Sequence, residues 1–257
     1  MTIELSGREK IILDKLISAG SVTVTDMAKE LGLSEVTIRG DLKTLEDKGW
    51  LNRTRGGAAP SLHRDLLERQ KLRPEEKNAI ARRAAELVRD GDVIMIEAGT
   101  TIALVAKYLQ GRRDIHIVTN STLVFSYARL NPNLQITMTG GEFRRATESL
   151  VGPIALDTIS RLNVRLAFVG TDGFSLERGM TTHLVEGAEI VKAMKLRTET
   201  TVLLADSSKS GRAGFIGVLP LSKMDLIITD NGLDGAVAEE LSGAGISIER
   251  VPISKLG

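Results

Sequence analysis

The chain contains no cysteine. That excludes disulfides, thiolate catalysis and every metal site built on thiolate ligands. Histidine is almost as scarce, and His63, His116 and His183 lie far apart without metal-ligand spacing. Aromatic residues are few, 3% of the 257 residues, and no low-complexity tract occurs, as in an ordinary globular protein. No apolar run approaches the roughly 18 residues needed to cross a bilayer, and the N-terminus does not read as a signal peptide. The expectation is a cytoplasmic protein without a membrane partner. A strong basic excess is also missing. The net charge of +1 argues neither for nor against nucleic acid. The length suffices for one small domain and one of ordinary size, each with its own core.

What is present begins with three short helical patterns and a turn-rich strand pair, residues 1–58. Ser6 and Glu9 form a capping box before a first helix, whose buried face is read as Ile11, Ile12, Leu13, Leu16 and Ile17. Gly20 stops it. Thr23 and Asp26 open a second helix with Met27, Ala28 and Leu31 inward, and Gly32 turns the chain. Ser34 then caps a third helix with Ile38, Leu42 and Leu45 at i, i+4 and i+7. At 100° per residue its opposite face centres on Val36, Gly40 and Lys43, flanked by Thr37, Arg39 and Thr44. A short helix with small, methyl-bearing and basic residues on its free face suits a DNA major groove. After Gly49, residues 50–58 read as a strand and a glycine turn, a wing that carries Arg53 and Arg55.

The DNA-binding candidates are therefore Ser34, Val36, Thr37, Arg39, Gly40, Lys43, Arg53 and Arg55. The bland alternative is a helical subdomain whose helices only pack together. Residues 34–57 do not decide it by charge, since Arg39, Lys43, Lys48, Arg53 and Arg55 face Glu35, Asp41, Glu46 and Asp47. Placement favours DNA: Arg39 and Lys43 flank the outward face, whereas Asp41 points sideways, bracing the wing or the second helix.

Arg8 to Gly57 resembles the DNA-binding domain of DeoR-type transcriptional regulators. The likeness rests on Ser34-x-x-Thr37-Ile38-Arg39-x-Asp41-Leu42, Leu45-Glu46, Gly49 and Arg53-x-x-Gly56-Gly57-Ala58. Two positions depart from the family pattern, which usually carries a basic residue at Gly40 and often a histidine at Arg55. Gly40 either lets the backbone approach the groove floor, leaving Val36 to touch a thymine methyl, or marks a lost phosphate contact.

Residues 59–73 read as a charged linker, solvated or docked through a weak stripe of Leu62, Leu66 and Leu67. Pro74 starts a helix over 75–89. From Gly91, strands alternate with helices: 93–96, 115–118, 134–138, 166–169, 201–204 and 226–229, with helices over 102–109, 123–130 and 187–198. Apolar strands separated by helices predict a Rossmann-like, mostly parallel sheet over residues 74–257. The expected fold class is thus α/β with an α+β N-terminal winged helix-turn-helix.

Strand after strand ends in a polar or glycine-rich loop: Glu97 to Thr101, Thr119 to Ser121, Thr139 to Glu142, Gly170 to Gly173 and Ala205 to Lys209. Ligands of open parallel sheets bind where such ends converge. Gly99-Thr100-Thr101 offers a close backbone approach and two hydroxyls to an anion. No Walker loop and no GxGxxG run occurs, which argues against a nucleotide or dinucleotide cofactor. Each loop alone reads as a cap or a turn; five at one edge read as a pocket for a small polyhydroxylated anion.

This half also resembles the effector domain of DeoR-type regulators, itself related to ribose-5-phosphate isomerase. The resemblance implies that Gly99, Thr100 and Thr101 hold a phosphate, while Asn120, Gly140, Gly141, Asp172 and Lys209 line a sugar. Glu97 stands where aspartate is common. Arg144 and Arg145 either reach the phosphate or face solvent. Asp172, Glu189 and Lys209 resemble the remnants of an isomerase's proton-moving set, but Phe174 and Ser175 stand where the isomerase has a further acid. The reading is a transcriptional repressor released by a phosphorylated sugar, acting on double-stranded operator DNA as a homo-oligomer. The alternatives are a sugar-phosphate isomerase with an appended DNA-binding domain and a structural nucleoid protein, the latter disfavoured by the missing basic excess.

Overall fold

A computed structural model describes residues 5–47, 50–60 and 64–253. The expected helix stop at Gly49 and the stripe residue Leu62 lie outside them. The chain divides into two compact units, Met1–Arg69 and Gln70–Gly257.

The first unit holds α1 (Gly7–Ala19), β1 (Val22–Thr23), α2 (Val24–Leu31), α3 (Glu35–Asp47), β2 (Leu51–Thr54) and β3 (Gly57–Pro60). Its starts and stops are those of the sequence. Ser6 and Glu9 cap each other reciprocally, Thr23 Oγ1 accepts from Asp26 N, and Gly20 and Gly32 close their helices with φ of 75° and 65°. Ile12, Leu13, Leu16, Ile17, Val24, Met27, Ile38, Leu42 and Leu45 form one core. Ile11 is not part of it. It is half exposed, because three consecutive apolar residues, Ile11 to Leu13, are wider than the stripe that the helix buries at 100° per residue. β2 and β3 form the wing hairpin, and β1 adds a third strand to it through Val22 and Ala58.

The described residues between 59 and 73 do not form a solvated linker. They complete β3 and then form α4 (Arg64–Lys71), where Leu66 and Leu67 are fully buried and Leu67 joins the N-terminal core. Two adjacent leucines on a short helix are better buried than solvated, at about 25 cal/mol per Å² of apolar surface.

The second unit opens with α5 (Pro74–Glu86), shorter than expected because the helix closes at Leu87. Seven parallel strands follow: β4 (Val93–Ile96), β5 (Ile115–Thr119), β6 (Leu134–Met138), β9 (Val164–Val169), β12 (Thr198–Leu204), β14 (Leu226–Asp230) and β15 (Ile248–Val251). Six were legible as apolar runs; β15, with Glu249 and Arg250, was not. Their spatial order is β15-β14-β12-β9-β4-β5-β6, so the winding direction reverses between β4 and β9. That is the doubly wound Rossmann arrangement, with its ligand crevice at the reversal.

Helices α6 (Ala103–Lys107) and α7 (Thr122–Ala128) connect β4, β5 and β6. The return crossovers use α8 (Pro153–Ser160), α9 (Val185–Leu196) and α10 (Gly235–Gly243). Two hairpins at the strand ends escaped the sequence: β7 (Glu142–Arg144) with β8 (Ser149–Val151), and β10 (Gly173–Ser175) with β11 (Gly179–Thr182), the latter extended by β13 (Ile216–Gly217). No helix among the described residues is long and apolar enough to cross a membrane.

Candidate functional site

Two candidate surfaces exist, one in each unit. In the first, Ser34 Oγ accepts from Thr37 N at 3.1 Å and starts α3 as expected. The free face is free: Val36 is 80% exposed, and Ser34, Arg39, Gly40, Lys43 and Thr44 are exposed too. Thr37 is half-buried beside Ser34. Arg39 pairs with Glu35 one turn earlier at 3.2 Å, and Glu35 also accepts from Thr25 Oγ1 of α2. Those two bonds, Thr25 first, hold the Glu35 carboxyl below its ordinary range.

Asp41 braces neither the wing nor α2. It faces Arg8 of α1 in a bidentate pair, because the α1–α3 crossing brings those two side chains together. The two wing arginines also differ. Arg55 is exposed beside Gly56, whose φ of 88° makes the hairpin tip. Arg53 is half-buried, with its backbone N–H on Glu46 and its guanidinium 3.4 Å from the Arg39 carbonyl. So Arg55 and the α3 face are open to a ligand, while Arg53 ties the wing to α3.

In the second unit the five loops sit on five neighbouring strands, β6, β5, β4, β9 and β12, all at their C-terminal ends. The reversal point is closed by Glu97, which is buried and accepts from Gly170 N at 3.2 Å across the β4–β9 gap. Gly99 and Gly170 both pack on Ile102. Thr101 is buried and Thr100 half-buried; Gly99 O accepts from Ala103 N, so the Gly-Thr-Thr turn runs straight into the short α6.

One strand over, Thr119 Oγ1 donates to Ile96 O and locks the β4 and β5 ends together. Asn120 follows, 1% exposed, with its amide nitrogen on Leu150 O at 3.1 Å and its Oδ1 without a hydrogen-bond partner. A buried amide oxygen left unpaired is costly, and a site that receives a hydroxyl or water resolves it. Gly140 and Gly141 adopt φ of 70° and 112°, and a Cβ on Gly141 would stand 2.4 Å from Val151 O. Only glycine fits that close turn.

Asp172 Oδ2 accepts from Thr182 Oγ1 at 2.9 Å and from His183 N at 3.0 Å, which fixes the loop to β11. Lys209 ends a 3₁₀ turn, Ser207–Lys209, started by the buried Asp206. Arg144 is committed to Glu186, whereas Arg145 is exposed in the β7–β8 turn. Glu189 stands apart from the loops: its side chain faces solvent on α9 and pairs with Lys192 at 2.9 Å. The helix buries Ala188, Ile190, Val191 and Met194 instead, so Glu189 falls on the outer face.

Sequence reasoning passed over one constellation at this edge. Arg73, with φ of 52°, reaches the buried carboxylates of Asp206 and Asp230 at 3.5 and 3.4 Å. Asp230 also accepts from Ser207 N and Gly232 N. The signal available was Thr229-Asp230, a sixth polar strand end.

With this geometry in place, likeness to known proteins decides the family. The DeoR-like helix-turn-helix domain matches residues 8–61 and the DeoR C terminal sensor domain matches residues 72–231. The chain belongs to the DeoR family. Its relatives in that family are transcriptional regulators, not enzymes. It is 37% identical over 245 residues to the HTH-type transcriptional regulator GlpR of Haloferax volcanii, covering 94% of this chain and 96% of that one. The putative aga operon transcriptional repressor of Escherichia coli O157:H7 is 30% identical over 249 residues (95% and 93% covered). The lactose phosphotransferase system repressor of Lactococcus lactis subsp. lactis is 34% identical over 238 (90% and 93%). Among solved structures, ribose 5-phosphate isomerase A of Methanocaldococcus jannaschii overlaps with a TM-score of 0.39 at 21% identity, over 52% of this chain and 53% of that one. As a DeoR-family member, the chain thus carries a DNA-binding helix-turn-helix domain and a sensor domain.

Proposed function

We propose that this chain is a repressor of a carbohydrate-catabolism operon, released from its operator when a phosphorylated sugar occupies the crevice between β4 and β9. The observation that carries the reading is the buried, unpaired Asn120 Oδ1 beside the Gly99-Thr100-Thr101 turn at the reversal point. Backbone and hydroxyl donors of the turn suit a phosphate, and Lys209 would supply a cation from the end of β12, on the far side of β9. Asn120, Gly140, Gly141 and Asp172 suit sugar hydroxyls, with Arg145 at the rim. The names of the related repressors support the same class of process.

An isomerase reading would need a carboxylate free to carry a proton between adjacent carbons. Asp172 Oδ2 is spent on Thr182 and His183, and Glu189 on Lys192. The site binds without turnover.

On the DNA side, Val36, Thr37, Arg39, Gly40 and Lys43 would enter a major groove, with Ser34 at the helix start and Arg55 on the adjacent backbone. A symmetric operator implies a homo-oligomer that presents two winged helices at fixed spacing. The sugar phosphate acts only through its different affinity for the operator-competent and released arrangements. A thermal-shift screen of pentose, hexose, hexitol and amino-sugar phosphates tests the reading, since a tight ligand raises the melting temperature. Thr100→Ala is expected to abolish that rise and leave a repressor that does not release. Normal induction in Thr100→Ala would refute the phosphate assignment.

A further inference from the structure

The helix read as entering DNA carries an acid where DNA would bring phosphates. Glu35 stands in the first turn of α3, next to the 80% exposed Val36. An anion there suits the helix dipole, but on a surface that meets DNA it also repels the phosphate backbone. Both of its oxygens are in use. Oε1 accepts from Thr25 Oγ1 of α2 at 2.7 Å, and Oε2 accepts from Arg39 Nη2 at 3.2 Å. Two further acids of α3 are committed elsewhere, Asp41 to Arg8 and Glu46 to the Arg53 N–H.

The consequence falls on Arg39. A long side chain on a helix leans toward the N-terminus, and the pair with Glu35 draws the guanidinium a full turn that way. That is the end of a recognition helix whose residues reach base edges. The Arg39 backbone is held as well, since its carbonyl accepts from the Arg53 guanidinium of the wing at 3.4 Å. Only one of the Arg39 side-chain N–H groups is spent on the carboxylate. Among the described residues no other acceptor takes the rest, so a fork of parallel donors stays open. Such a fork matches O6 and N7 of guanine. Lys43, a point charge with rotating donors, suits a phosphate instead.

We propose that Glu35, braced by Thr25, is a positioning residue that holds Arg39 for bidentate contact with a guanine of the operator. The inference rests on α3 entering the major groove, and it adds which base is read there and what aims the side chain. In water an exposed pair of this kind contributes little. Docking on DNA removes that water and strengthens the attraction between Glu35 and Arg39. An arginine already held in one arrangement also loses less freedom when it binds. The acid thus trades some general affinity, through its repulsion of phosphates, for selectivity at one base pair.

Duplexes selected from a random pool by the full-length wild-type protein supply the probe, with a scrambled duplex as reference. By charge alone, removing an acid from a DNA-facing surface should tighten binding to both. Glu35→Gln is instead expected to tighten the scrambled duplex and weaken the selected one, so that their affinity ratio falls at least about fivefold. Thr25→Val changes no charge and should lower the ratio in the same direction but less. An unchanged melting temperature in both variants is the control for folding. Replacing each guanine of the selected site by 7-deazaguanine, which lacks N7, should find one position per half-site that weakens wild-type binding and leaves Arg39→Gln unaffected. Equal gains on both duplexes in Glu35→Gln would overturn the proposal, as would an unchanged ratio in either variant. A selected site in which no guanine depends on Arg39 would overturn it too. The groove reading fails separately, by a Val36→Asp protein that binds the selected duplex as the wild type does.

Discussion

Arg8 grips Asp41 through two hydrogen bonds, Nε to Oδ2 at 2.7 Å and Nη2 to Oδ1 at 2.8 Å, and so ties α3 to α1. The Asp41 hydrogen bonds, and then its charge, raise the Arg8 guanidinium further above its already high range. Asp41→Ala removes a negative charge near the DNA face, so non-specific DNA binding should hold or rise. Specific binding should fall several-fold, because α3 loses its brace. Gel-shift titrations with operator and scrambled duplex check this: a specificity ratio equal to wild type would show that the pair does not orient α3.

Gly40 offers a cleaner test of what the recognition helix needs. A Cβ there would meet nothing within 4 Å, and its φ is ordinary. Gly40→Ala should therefore stabilise α3 by up to about 1 kcal/mol, measured by denaturant unfolding. If the missing side chain serves close approach to the groove floor, the same variant should bind operator more weakly despite the added stability. Gly40→Lys then distinguishes a lost phosphate contact, since it would strengthen binding to all sequences.

Arg73 stands at the C-terminal ends of β12 and β14 in a left-handed conformation, clasped by Asp206 and Asp230. Removing it leaves two buried carboxylates short of a partner. Arg73→Ala should cost the sensor domain about 1–3 kcal/mol, visible as a lower thermal midpoint. Asp230 also holds Ser207 of the turn that carries Lys209, so sugar-phosphate affinity should drop in the same variant. A wild-type midpoint would count against the clasp.

Asp92 predicts the acid limb of stability. Burial alone would push its carboxyl up, but hydrogen bonds from Arg165 and the Arg89 N–H outweigh that and hold it below the usual range. A carboxyl lowered in the folded state stabilises above its unfolded pKa of about 3.9 and loses that contribution as pH falls through the folded value. Asp225, lowered on balance by Lys195 and Thr201 N, adds to the same limb. Asp92→Asn should cost about 1–3 kcal/mol at neutral pH and flatten the decline below about pH 4. An unchanged acid profile in Asp92→Asn would disprove the assignment.

How much was legible depended on the range of the interaction. Ser34 and its Thr37 bond, Gly20 and Gly32 at the helix ends, and the Ile38–Leu42–Leu45 stripe are local, three to seven residues apart, and the structure keeps them. The six apolar strands were equally plain. Ile11 misled because an apolar residue beside a stripe looks the same in sequence as one within it. The pairing of β1 with β3, the hairpins β7–β8 and β10–β11, and the polar strand β15 carry no period of their own, since their partners supply the pattern.

Composition, caps and periodicity by themselves determined a winged helix followed by a parallel α/β domain with polar loops at the strand ends. Each of those follows from the free energy of residues close along the chain. Only the tertiary structure decided that Arg53 turns back on α3 while Arg55 stays open, that Glu189 leaves the loop cluster, and that Arg73 joins it through Asp206 and Asp230. It also decided that Arg8 meets Asp41, 33 residues away. Side-chain pairing across such separations depends on how helices cross and which strands are neighbours, and neither is written in the spacing of any single segment.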